Sequence, residues 1–164
     1  MTPLFALFRT LIFATVGFTL LYLPARVLSA SGIVRPAAMG GIQIVGLVVA
    51  TLGTVLLLWC ALDFALIGRG TPAPFDPPRK LVTQGPYRFV RNPMYIGAVT
   101  LLSGAALFYQ SKPLLIYECG FLILCHLFVV IYEEPALARK FGEDYESYRR
   151  HVHRWRPGRP WISE

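Results

Sequence analysis

The residues of this chain with the most chemical potential fall into two short groups. The first is GPYRFVRNPMYIG, from Gly85 to Gly97, which sets two prolines, two arginines, two tyrosines and an asparagine between apolar runs. The second is the pair Glu133 and Glu134, at the end of another apolar run and directly before Pro135. Two carboxylates at the edge of an apolar segment are costly in lipid, which points to a site. Rigid, irregular backbone leaves N–H and C=O groups outside secondary structure, and at a membrane surface those groups must meet water, protein or a ligand. The chemistry on offer is recognition: a carboxylate accepts from ammonium or hydroxyl groups, and a tyrosine face receives a cation. No His/Asp base accompanies either group, so no catalytic residue is assigned. Cys60, Cys119 and Cys125 lie within apolar runs without CxxC or Cys/His spacing; they read as small hydrophobes, and no metal site is expected.

The elements that must hold these groups are apolar helices. With 55% hydrophobic and 15% charged residues, the 164-residue chain is too apolar for a water-soluble domain of its size, and one domain, 1–164, is the expectation. Four apolar segments stand out, Leu4 to Leu23, Ile42 to Ile67, Met94 to Tyr109 and Leu114 to Tyr132. A span takes about 20 residues, so the third is short and the second long enough to tilt. Arg9 interrupts the first, which also lacks a basic start and a cleavage site, so it reads as an anchor rather than a signal peptide. The net charge of +7 brings no basic stripe with exposed aromatics, so no nucleic-acid partner is expected.

Lys and Arg set the orientation. Five follow the second segment (Arg69, Arg79, Lys80, Arg88, Arg91) and seven follow the fourth (Arg139, Lys140, Arg149, Arg150, Arg154, Arg156, Arg159). Three lie on the opposite side (Arg26, Arg35, Lys112), so loop and tail are predicted to be cytoplasmic, with both termini. Gly46 and Gly53, and Gly97 and Gly104, recur seven apart, which predicts close helix approach. GGIQIVG lacks the pattern of a dinucleotide loop and reads as packing. The loop from Thr71 to Pro93 carries six prolines and is predicted to be irregular, with Pro93 opening the third helix. After Pro135, expected to break the helix, Leu137, Phe141, Tyr145, Tyr148 and Val152 form one apolar stripe, which predicts an amphipathic helix at the cytoplasmic mouth, weakened at Gly142.

Two blocks, LVTQGPYRFVRNPMYIG and EEPALARKFGEDYESYRRHVHRWRP, together resemble the membrane-embedded methyltransferases that include isoprenylcysteine carboxyl methyltransferase and the phospholipid N-methyltransferases. The resemblance covers roughly Leu81 to Pro157. It implies S-adenosylmethionine as donor, held without a Rossmann fold at the cytoplasmic membrane face. The LVxxGxY block matches Leu81, Val82, Gly85 and Tyr87; the RHPxY block matches Arg91, Pro93 and Tyr95, with Asn92 in place of histidine; the glutamate pair matches Glu133 and Glu134. Cofactor contacts are thereby implied from Leu81, Val82, Tyr87, Asn92, Pro93, Met94, Tyr95 and Glu133, a region of about 79–97 and 133–157. Isoprenylcysteine enzymes carry an arginine four residues before the first glutamate; here that position is Val129, which argues against a prenylcysteine carboxylate as acceptor.

Read singly, Tyr87 and Tyr95 are interfacial-belt aromatics and Arg88 and Arg91 positive-inside anchors. Asp63 lies near enough to its helix end to reach water, His126 is a helix-packing polar residue, and Glu118 stays open. The expectation is an all-α integral membrane protein of about four transmembrane helices plus a C-terminal amphipathic interfacial helix. Its function would be methyl transfer to a lipophilic or small membrane-accessible amine, thiol or carboxylate. The alternatives are a membrane reductase using NADPH, whose later acidic, cysteine-containing block EEPALARKFG does not match, and a non-catalytic scaffold.

Overall fold

A computed structural model describes residues 22–32, 39–68 and 80–162, whose regular elements are all helical, with no strand among them. Their α-helices are α1 (Leu23–Ala30), α2 (Gly41–Asp63), α3 (Pro93–Tyr109), α4 (Lys112–Phe128), α5 (Glu134–Phe141) and α6 (Glu143–His151). A π-helical turn, Phe64–Gly68, extends α2, and another, Val129–Glu133, joins α4 to α5. The first apolar segment, up to Leu21, and the proline-rich stretch 71–79 lie outside the described residues.

Two helices are long and apolar enough to cross a membrane, Gly41–Asp63 and the continuous path Lys112–Phe141, of 23 and 30 residues. At 1.5 Å per residue the first spans about 35 Å, enough for a hydrocarbon core of about 30 Å. Most of their side chains, among them Ile44, Leu52, Leu58, Ile116 and Leu124, are exposed apolar groups, as expected of surface solvated by lipid. The third apolar helix, Pro93–Tyr109, has 17 residues, as short as its sequence predicts.

The chain divides into two compact units, Met1–Thr54 with Ala98–Phe121 and Val55–Gly97 with Leu122–Glu164. In the first, α2 and α3 meet where the glycine spacing predicts. A Cβ on Gly46 would lie 2.6 Å from the Phe108 amide nitrogen and 2.8 Å from the Gly104 carbonyl oxygen, so only hydrogen fits between the two backbones. In the same unit the Ser103 hydroxyl donates to Glu118 Oε1, which gives that intramembrane carboxyl a partner within the protein.

The second unit is built on two aromatic cores. Cys60, Val82 and Tyr87 form one, with Leu56, Phe64 and Met94 packed on it. Tyr145, Tyr148 and Val152 form the other, against Leu81, Leu137, Phe141 and Trp161. The amphipathic stripe read from the sequence is thus the buried face of the C-terminal segment. It is carried by two helices, not one, and the break falls at Gly142 (φ +52, ψ −124), a conformation that disfavours any side chain. Pro135 does not break the chain path as expected. The π turn before it changes the hydrogen-bond register, and Pro135 sits in the first turn of α5, where its missing N–H costs little.

Candidate functional site

The site residues sit in the second unit, on three pieces of backbone brought together by the C-terminal tail. The first piece is irregular. Leu81, Val82 and Thr83 have no regular structure, and among the described residues none of their amides or carbonyls bonds another backbone group. A 3₁₀ turn, Gly85–Arg88, follows. Gly85 has φ +55 and its Cα packs on Asp63 and Trp59, leaving no room for a Cβ. Asp63 Oδ2 is buried there without a hydrogen-bond partner among the described residues. The carboxylate as a whole stays part-exposed near the end of α2, in keeping with its expected access to water, while the close approach of Gly85 covers this one oxygen.

Tyr87 is 6% exposed, edge-on to Phe64 at 5.4 Å between ring centres. Burial, then the adjacent Cys60 thiol, holds its phenol well above the ordinary tyrosine range, so it is a neutral hydroxyl at any physiological pH. Its carbonyl accepts from the Tyr148 hydroxyl at 2.6 Å, which ties the 3₁₀ turn to α6. Burial likewise pushes Tyr145 up to about 12.

The second piece is the start of α3. Asn92 is buried and its Nδ2 donates to the Arg154 carbonyl at 3.1 Å. Pro93 is fully buried at the first helical position, and Met94 packs on the Cys60–Val82–Tyr87 core. Tyr95, one turn in from Arg91, donates its hydroxyl to Glu133 Oε2 at 2.9 Å.

The third piece is the glutamate pair, whose members have separate tasks. Glu134 is 7% exposed and accepts from Arg154 Nε and Nη2, both at 2.7 Å, while Arg91 Nη2 lies 3.1 Å from its Oε1. This is a two-point guanidinium–carboxylate contact with a second cation behind it. The pairing holds Arg154 charged above its ordinary range. Glu133 is half-buried and has no cationic partner among the described residues; Tyr95 fills one of its roughly four acceptor positions. Among the described residues, one glutamate is paired with two cations and the other with none.

Sequence reasoning missed the tail that organises these pieces. Arg91 N–H donates to the His153 carbonyl, Gly158 N–H to Phe89, and Trp161 N–H to Arg88, each at 2.9 Å. Arg88 Nε returns a bond to the Trp161 carbonyl at 3.2 Å. Arg88 and Arg91 are therefore docking residues for the tail as well as positive charges. Trp155 lies edge-on to Tyr95 at 6.3 Å and donates to His126 Nδ1 at 3.1 Å. The signal was the run HRWRP that ends the second motif block.

Of the residues singled out in the sequence, Val82, Tyr87 and Met94 share one core, Leu81 borders the other, and Tyr95 and Glu133 are bonded to each other. Asn92 joins the tail by its amide nitrogen, and Pro93 is packing at the helix start.

Comparison with known families matches the phospholipid methyltransferases over residues 42–144, more than half of the chain. The chain belongs to the phospholipid methyltransferase family. No curated relative and no solved structure matches it. Membership brings methyl transfer at a membrane, and with it the need to bind a methyl donor. The matched span runs from the start of α2 to the start of α6 and so contains Leu81 to Tyr95 and the glutamate pair. It supports the all-helical membrane class read from the sequence.

Proposed function

We propose that the chain is an S-adenosylmethionine-dependent methyltransferase acting on a lipophilic acceptor, with its donor pocket formed by residues of about 79–97 and 133–157. The observation that carries this reading is the Glu133 carboxylate, which accepts from the Tyr95 hydroxyl and has no cationic partner among the described residues; the Leu81–Thr83 backbone of the same unit, which bonds no other backbone group among them, adds to it. When bound, S-adenosylmethionine supplies an electrophilic methyl group on a sulfonium. Glu133 accepts from an ammonium or a ribose diol, Tyr95 fixes the orientation of that carboxylate, and the Leu81–Val82 backbone meets adenine edges. Neutral Tyr87, with Asn92, Pro93 and Met94, completes the wall from the turn and the start of α3. Glu134, Arg91 and Arg154 hold the tail in place and keep water from the site. Positioning supplies most of the rate enhancement, so no dedicated base is required for an amine or thiol acceptor.

The topology that goes with this function has four spans, both termini and the pocket on the cytoplasmic side, supported by the twelve-to-three distribution of Lys and Arg. The acceptor enters from the bilayer. A prenylcysteine carboxylate is disfavoured because Val129, 1% exposed, occupies the position where a cation would have to face that group. Calorimetric titration of the full chain in detergent with S-adenosylmethionine and with NADPH tests the assignment. Binding of the first and not the second is expected; the reverse would make the chain a reductase, and binding of neither would make it a scaffold.

A further inference from the structure

His126 is an exposed imidazole on α4, surrounded on the same helix by the exposed apolar side chains Leu122, Ile123, Leu124 and Leu127. Its Nδ1 faces the Trp155 indole N–H at 3.1 Å, with the rings 6.0 Å apart and tilted by 34°. An indole nitrogen only donates, so Nδ1 has to accept. In the neutral ring the proton must then sit on Nε2. Trp155 thus selects one tautomer and leaves an N–H donor on a helix surface that is otherwise hydrocarbon. In a lipid environment an N–H without an acceptor is unfavourable, and a polar side chain at a lipid-facing position marks a functional contact.

Depth decides what the acceptor is. His126 precedes Glu133 by seven residues, about 10 Å along a helix. The polar layer on each side of a hydrocarbon core is about 5–8 Å thick. With Glu133 at the aqueous mouth, His126 lies about 2–5 Å below the border between headgroups and acyl chains, within a side chain's reach of the ester carbonyls that a diacyl lipid carries there. Trp155 also lies edge-on to Tyr95, which is bonded to Glu133, so the imidazole stands one aromatic ring away from the site.

We infer that His126 is a lipid-recognition residue, its Nε2–H donating to an ester carbonyl oxygen of a diacyl lipid held against α4 beside the Tyr95–Glu133 pair. This deepens the proposed function and rests on its placing of that pair at the mouth of a lipid-facing pocket. His126 is a positioning residue for the acceptor; the bond draws the glycerol region of a lipid to a fixed depth and brings its headgroup toward Glu133.

The test compares two lipids that differ only in those carbonyls, dioleoyl phosphatidylethanolamine and its dialkyl ether analogue, by native mass spectrometry of the full chain titrated in micelles. The wild type is expected to bind the diacyl lipid three- to tenfold more tightly, the size of one hydrogen bond. His126→Phe, which keeps a ring of similar size, should bind both equally. His126→Gln, which can accept from Trp155 and still donate, should keep the preference. Equal binding by the wild type, or an undiminished preference in His126→Phe, overturns the inference. Methyl transfer from labelled donor, scored separately on the same preparation, reports on the proposed reaction, so failure of one is distinct from failure of the other.

Discussion

Tyr95 and Glu133 are 38 residues apart in sequence, and the hydroxyl of one meets the carboxylate of the other at 2.9 Å. Next to this bond, Glu134 is held by two arginines while Glu133 is held by none among the described residues. Adjacent residues of the same type therefore separate into a charge-paired fastening and a carboxylate bonded, among the described residues, to a neutral hydroxyl. The separation follows from helix geometry: successive residues point about 100° apart, so neighbours face different surroundings. It also predicts that the two glutamates fail differently when changed.

Glu134→Gln should loosen the tail. It leaves Arg91 and Arg154 without their counter-charge, and removal of one partner of a mostly buried ion pair costs about 2–4 kcal/mol when one cation is partly exposed. A thermal melt in detergent should fall by several degrees, and limited proteolysis should cut beyond His151 sooner. Glu133→Gln should do neither, because its carboxylate balances no cation among the described residues. A Glu134→Gln variant as stable as wild type would show that the ion pairs are incidental.

The contact of α2 with α3 gives a packing prediction. Gly46→Ala places a methyl against backbone atoms of Phe108 and Gly104 that cannot move aside without separating the helices. A cost of about 1–3 kcal/mol is expected, read as a lowered melting temperature. Gly120→Ala is the control: nothing lies within 4 Å of its Cβ, and as a mid-helix glycine it should be neutral or stabilising by up to about 1 kcal/mol.

Much of this was legible in the sequence, and the parts that were not have a common cause. Hydrophobic runs located α2, α3 and α4, because burial in lipid is a property of composition and length. The seven-residue spacing of Gly46 with Gly53, and of Gly97 with Gly104, anticipated the close approach seen at Gly46 and Gly104. The stripe from Leu137 to Val152 anticipated a buried face. Periodicity could not distinguish one helix from two, since Gly142 falls between stripe positions and breaks the backbone without breaking the pattern. Pro135 misled for the same reason: the π turn at Val129–Glu133 has no sequence period. The tail contacts, such as Arg91 with His153 and Trp161 with Arg88, are bonds between irregular segments distant in sequence and carry no repeat at all. That Gly85 covers one oxygen of Asp63 was likewise not legible, because nothing in the helix that carries Asp63 reveals it.

The twelve-to-three charge distribution predicts where the loops lie. Reporter fusions at Gly32 and at the C-terminus should give opposite signals, external for Gly32 and cytoplasmic for the terminus. Matching signals would rule out a four-span topology with both termini inside.

Whether Glu133 is a ligand-binding carboxylate is decided by titration calorimetry of S-adenosylmethionine on the wild type and on Glu133→Gln, with Glu146→Gln as control. Glu146 is solvent-facing and pairs with Arg149, an exposed contact worth little. Losing a charge-assisted hydrogen bond costs about 1.5–3 kcal/mol, and because glutamine keeps the shape and one acceptor the loss should be near the lower figure, about tenfold in affinity. Glu133→Gln is expected to bind about tenfold more weakly with an unchanged melting temperature, and Glu146→Gln to bind as the wild type does. Wild-type affinity in Glu133→Gln would mean that the carboxylate is structural and does not bind the donor.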